Sequence, residues 1–431
     1  MLVRPEKLFG RHCAVLGATG GGKSWTVSRL LEECLAHNAK VVLLDPTSEY
    51  RGQGGPFVAH CHMGDPVELA NGSKDISLPP SDFTESDFIA LFEPSGKVQG
   101  PKLREAIRSL RLGNLKPGLT EDGILKKCGQ EKKPIEACFK YHSQTLEDPA
   151  APFDATKLAR QLMEECVFPD GGNKSSPDPT RWGGYSDSDK TYCLPLASRI
   201  HAIVRSDAFA PVFRNDTSAT SIGAEFERFF AGPERLLRIC VGGVSYEYRA
   251  REFIANAIGR MLLTKARAGT FRDRPIIAVV DEAHNFLGRH VGNEDSMIRL
   301  DAFEIIAREG RKYGLNLCLA TQRPRDLTEG VLSQIGTLIV HRLTNDRDRE
   351  VVEKACGEID RSATAFLANL RQGEAVVVGA DFPIPMTVQI SAPTQKPFSD
   401  GPDYQVAWRA ALSVVNTNPE ALSNNGGPST P

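Results

Sequence analysis

No stretch of this chain approaches the 18 or so consecutive apolar residues that cross a bilayer. That excludes an ordinary transmembrane helix. Excess charge is missing too: 52 basic against 54 acidic residues leave a net charge of -2. No global basic field marks a nucleic-acid binder, so any grip on DNA must come from local basic loops. The 10 cysteines lie at 13, 34, 61, 128, 138, 166, 193, 240, 318 and 356, with no C-x-x-C pair among them. Their scatter, several within apolar runs, suits a reducing compartment better than a disulfide framework. Met1–Gly10 lacks the apolar core of a signal peptide, and no internal repeat is visible. The expectation is a soluble cytoplasmic protein. With 41% hydrophobic and 25% charged residues the chain can bury a sizeable core.

What is present is concentrated near the start. Gly17-Ala18-Thr19-Gly20-Gly21-Gly22-Lys23-Ser24 is a complete G-x-x-x-x-G-K-[ST] loop. Backbone N–H groups of such a loop wrap a triphosphate, the lysine reaches the β- and γ-phosphates, and the serine hydroxyl binds Mg²⁺. The flanks fit. His12–Leu16 reads as a buried strand, and Lys23–His37 carries apolar residues at helical spacing. The loop therefore opens a helix, whose N-terminus favours anions. Residues 17–25, Trp25 included, are the candidate nucleotide-binding set, with Ser24 a candidate Mg²⁺ ligand.

A later apolar strand, Pro275–Val280, ends in Asp281-Glu282. In open α/β sheets ligands bind at that strand edge. Asp281 there can hold Mg²⁺ through water, and Glu282 can polarise a water in line with the γ-phosphate. Leu317–Ala320 ends in Thr321-Gln322, and Gln322 at that tip can sense the γ-phosphate or the water. Arg308, Arg311 and Lys312 cluster on Asp301–Tyr313; the cluster is either a solvated basic face or a source of arginine for a neighbour's phosphate. Arg11 reads as a surface residue. His60-Cys61-His62 has metal-ligating types but no second ligand pair. Gly288-Arg289-His290 and Arg323-Pro324-Arg325 are basic loops that either face DNA or are solvated.

Short apolar runs also occur at 40–45, 236–241 and 338–341, alternating with helical stretches near 102–112, 155–165, 194–206 and 248–266. That alternation argues for an α/β fold with a mainly parallel central sheet covered on both faces. The domain expectation is a discontinuous core, 1–50 and 235–415. Residues 51–234 form an insertion, mainly helical and loop, and 416–431 a disordered tail.

Taken together, Gly17–Ser24, Asp45–Tyr50, Asp281–Phe286, Ala307–Gly314 and Thr321–Pro324 resemble the HerA branch of the HerA/FtsK superfamily. So do the later stretches Leu332–Gln334, Gly373–Ala375 and Phe382–Pro385. The likeness covers about 1–110 and 235–395. It implies a RecA-like P-loop NTPase fold and a homo-hexameric ring with ATP and Mg²⁺ between subunits. It implies Lys23 and Ser24 on phosphate and metal, Asp281 on Mg²⁺, Glu282 as catalytic base and Gln322 as sensor. Arg311 or Arg308 becomes an arginine finger given in trans, and Arg11 a second trans arginine. The implied function is a double-stranded DNA translocase or helicase-like motor that works with a nuclease or effector partner in DNA repair or anti-phage defence. The alternative is a nucleotide-gated hexameric scaffold that activates a partner without processive translocation. Two departures stand out. Family chains carry an N-terminal β-barrel that docks partners, whereas 16 residues precede Gly17, and the family's His-Gly after the second strand is Thr47-Ser48 here.

Overall fold

The computed structural model describes residues 4–399 except 67, 150, 174, 214–218, 288–289, 292–297, 357–365 and 381, with 404 and 408 beyond. Eleven strands form one sheet. They are β1 (His12–Leu16), β2 (Lys40–Asp45), β3 (Val58–Gly64), β4 (Lys74–Ser77) and β5 (Thr220–Ser221), then β6 (Leu236–Gly243), β7 (Ile276–Val280), β8 (Leu315–Thr321), β9 (Ile335–Val340), β10 (Glu374–Gly379) and β11 (Phe382–Gln389). Their spatial order is β11-β10-β9-β1-β8-β7-β2-β6-β3-β4-β5. All neighbours run parallel except β9–β10 and β10–β11. The expected mainly parallel sheet is present, with an antiparallel edge.

Every residue of β1, β2 and β7 is buried, as parallel strands covered on both faces require. Successive side chains alternate between faces. Ala14, Leu16, Val42 and Leu44 join one core, and Cys13, Val15, Val41 and Leu43 the other. Helix α1 (Lys23–Ala36) buries Val27, Leu31 and Cys34 in the second core.

The first core is larger, because residues 51–234 pack there. They supply α2 (Glu85–Phe92), started by a Thr84/Asp87 capping box, α3 (Gly96–Leu115), α4 (Leu158–Glu164) and α5 (Asp187–Arg205). They also supply β3, β4 and β5 to the main sheet, so this stretch is knitted into the sheet as well as laid over it. Those strands carry His60, His62 and Lys74 rather than an unbroken apolar run, which hid them in the sequence. Helices α6 (Ala250–Arg267) and α7 (Ala302–Glu309) complete this layer. Among the described residues no helix is long and apolar enough to cross a membrane. The expected tail 416–431 lies outside the described residues.

Candidate nucleotide site

β1 delivers the loop at its C-terminal end, and α1 begins at Lys23. Gly20 (φ 74°) and Gly22 (φ 110°) adopt left-handed conformations that side chains avoid, so these glycines are set by backbone shape. Neighbouring strands anchor the loop: Gly17 N donates to Thr321 O (3.3 Å) and Ala18 N to Arg342 O (3.0 Å). Trp25 follows on the first turn, half-buried, with the Lys396 ammonium 5.7 Å from its ring centre.

Five predicted residues converge. Lys23 Nζ donates to Asp281 Oδ1 (2.6 Å) and Glu282 Oε1 (2.9 Å). Gln322 Nε2 donates to the same Glu282 oxygen (2.8 Å), and Thr19 Oγ1 donates to Gln322 Oε1 (2.5 Å). Burial alone would depress the Lys23 ammonium, but Asp281 and Glu282 outweigh it and hold the pKa above its ordinary value. Asp281 is fully buried, and burial, opposed by Lys23 and reinforced by Glu282, raises its carboxyl to about 6. Glu282 sits at φ 45°, ψ 44°, a left-handed conformation costly for a residue with a Cβ and typical of functional sites.

The residues fit a hard cation bridging to phosphate. Asp281 Oδ2 and Glu49 Oε2 are buried without a hydrogen-bond partner, and Ser24 lies beside Glu49. Oxygen donors of this kind suit Mg²⁺ held chiefly by substrate phosphates. Among the described residues no cluster of three or more His, Cys, Asp or Glu forms a protein-only metal cage. His60 instead contacts Gln53 O (2.6 Å), His62 contacts Ser73 Oγ (3.0 Å), and Cys61 donates to Glu225 (3.6 Å).

The arginines lie elsewhere. Arg11 precedes β1 and packs beside Gly336 at the start of β9. Arg311 precedes β8, where its charge acts on His12 at the start of β1. Arg308 is exposed, 3.9 Å from Glu304. The length of β1, roughly 16 Å at about 3.3 Å per residue, separates that end of the sheet from Gly17. Arg323 and Arg325 are exposed, each 3.9 Å from Asp326. Gly288 and Arg289 lie outside the described residues.

Several site residues escaped the sequence reading. His284 Nδ1 lies 3.0 Å from Thr321 Oγ1 and 3.3 Å from Glu282 Oε2, and burial lowers its pKa. Arg238 Nε donates to Asp45 Oδ2 (2.7 Å), both fully buried, and Asp45 accepts from the backbone N–H of Thr47, Glu49 and Tyr50. This pair shapes the turn that brings Glu49 to Ser24. An arginine inside the apolar run Leu236–Val241 was its available signal.

The chain is similar to proteins of known family. The family description "Helicase HerA, central domain" matches residues 1–164. The DNA double-strand break repair helicase HerA of Saccharolobus solfataricus is 33% identical over 404 residues, covering 93% of this chain and 68% of that protein. The probable DNA double-strand break repair helicase HerA of Methanocaldococcus jannaschii is 26% identical, covering 89% and 72%. Among solved structures, VirB4 of Thermoanaerobacter pseudethanolicus superposes with a TM-score of 0.53 at 14% identity, covering 88% of this chain and 89% of that one. The plasmid coupling protein TrwB in complex with ADP and Mg²⁺ gives 0.53 at 16% identity, covering 90% and 87%. These two likenesses concern the fold: a P-loop ATPase core of RecA-like type.

Proposed function

This chain belongs to the HerA family, and from that premise we propose that it is an ATP-hydrolysing motor that moves double-stranded DNA. The observation that carries the reading is the buried Lys23 shared between Asp281 and Glu282, with Gln322 on the same Glu282 oxygen. A module that only bound nucleotide would need the loop and its lysine, but not a glutamate poised beside a polar strand tip.

Mg²⁺·ATP, when bound, supplies the phosphoanhydride and a divalent charge that offsets charge on the transferring phosphoryl group. Lys23 exchanges carboxylate partners for phosphate oxygens, which carry more negative charge. Glu282, released from Lys23, accepts a proton from the attacking water. Gln322, steadied by Thr19, orients that water or reads the γ-phosphate. Ser24 and Asp281 would hold the metal, Asp281 partly through water, with Glu49 beside them. Residues 17–25 wrap the phosphates.

Arg311 or Arg308, with Arg11, serves a neighbouring subunit's site, because strand geometry keeps all three from their own loop. That supports a homo-hexameric ring. The relatives' names supply the DNA and the repair context. A nuclease or defence effector as partner belongs to the same proposal.

Turnover of purified protein, with and without duplex DNA, tests this. Glu282→Gln is expected to retain ATP and lose about 100-fold or more in turnover, Lys23→Ala to lose ATP binding, and duplex DNA to raise the wild-type rate. Nucleotide binding without hydrolysis under either condition would sink the motor and favour a nucleotide-gated scaffold.

A further inference from the structure

One buried histidine lies under the phosphate loop and takes no part in the chemistry above. His341 follows β9, and its backbone N donates to Leu16 O (2.7 Å), carrying the β1–β9 pairing up to the loop. The next residue, Arg342, accepts from Ala18 N. The chain therefore passes directly beneath the loop, and the His341 ring is fully buried there.

The ring's partners dictate its tautomer. Nδ1 lies 2.9 Å from Glu374 O, and a carbonyl only accepts, so Nδ1 carries the proton. Nε2 is then an acceptor, and Thr26 Oγ1, at 2.7 Å, donates to it. Thr26 sits on the first turn of α1, three residues after Lys23. One ring thus ties the helix that carries Lys23 and Ser24 to the first residue of β10.

His341 also crowds the glycines above it. A Cβ on Gly17 would fall 2.7 Å from His341 Cβ, one on Gly22 would fall 3.3 Å from Cε1, and one on Gly21 would fall 3.5 Å from Cβ. At Gly17 the reason for glycine is therefore the Cβ of residue 341, whereas the imidazole itself meets the loop at Gly22. The turn before β10 closes the loop's flank, where Gly373 N donates to Gly21 O (3.3 Å).

We propose that His341 is the positioning residue of the phosphate loop: it acts through Thr26 and through contact with Gly17 and Gly22 to hold the loop in the curvature that receives a triphosphate. The inference rests on the nucleotide-site reading. It adds that loop shape is set from below, by a residue that touches neither phosphate nor metal.

The test measures ATP affinity, ATP KM, kcat and melting temperature for the full chain. His341→Leu keeps the volume and loses both hydrogen bonds, and Thr26→Val removes the helix partner. Each is expected to weaken ATP binding about tenfold and to raise KM in step with little change in kcat, because removing one partner of a buried hydrogen bond strands the other. The double variant is expected to be no weaker than His341→Leu alone, since that variant already breaks the contact that Thr26→Val removes. His341→Gln, whose amide reaches the Nε2 position, is expected to recover most of the affinity. ATP binding within about twofold of wild type in His341→Leu, or additive losses in the double variant, would reduce His341 to a core residue and overturn the proposal. Wild-type protein that binds no ATP would instead remove the nucleotide-site reading itself, and Lys23→Ala serves as its control.

Discussion

His12 and His341 are buried histidines at opposite ends of the β1–β9 pair, and both have pKa values near 4. Burial is the main cause in each, only partly opposed by the carbonyls of Ala307 and Glu374. An unfolded histidine takes up a proton near pH 6.5, whereas these rings stay neutral until about pH 4. The unfolded state therefore binds more protons in that window, and folding stability falls as pH drops from about 6.5 to 4. Each ring contributes up to about 3 kcal/mol at neutral pH that is lost across that interval. Melting temperature measured between pH 7 and 4 is expected to drop steeply, and more gently in His341→Gln; identical slopes in the two proteins would contradict this origin. At this scale the sequence was readable wherever chemistry is local. Lys23, Ser24, Asp281 and Glu282 sit in short motifs whose residue types declare their roles. Thr19 meets Gln322 across 303 positions and Thr26 meets His341 across 315, so no spacing rule reveals either contact.

Among elements, the neighbouring strands β2 and β6 carry the buried Arg238–Asp45 pair. Arg238 fixes Asp45, and Asp45 in turn gathers the N–H groups of the 47–50 turn. Replacing one partner leaves the other charge buried and uncompensated, which typically costs 3–5 kcal/mol. Arg238→Leu is expected to lower the unfolding free energy measured in urea by that order and to weaken Mg²⁺-dependent ATP binding, because Glu49 loses its support. A loss of unfolding free energy below about 1 kcal/mol would mean that the backbone donors alone hold Asp45. Strand legibility follows the same physics. β1, β2 and β7 announce themselves as fully buried apolar runs. β3 mixes histidines among its apolar residues, and the edge strand β11 exposes Ile384, so neither pattern reads as a core strand.

Over the whole molecule, strand polarity separates two kinds of equipment. The phosphate loop, the acids and Gln322 lie at the C-terminal strand ends, while Arg11 and Arg311 lie at the opposite ends. Complementation tests whether the latter serve another subunit. Lys23→Ala and Arg311→Ala chains, each inactive alone, are expected to regain a fraction of wild-type turnover when co-assembled, because some sites then combine an intact loop with an intact arginine. Mixtures as inactive as their components would remove Arg311 from the trans role. The overall architecture was legible because alternating apolar runs and helices specify a parallel sheet. The part played by 51–234 was not, since polar strands that join a sheet at its far side carry little periodic signal.

That separation has a consequence for stoichiometry. If Arg311 is given in trans, head-to-tail assembly of such chains gives an open row in which one end holds a loop without a donor arginine and the other a donor without a loop. A row of any length therefore has one complete site fewer than it has subunits. Joining the two ends removes the deficit in a single step, so the last contact to form completes a site that no earlier addition could.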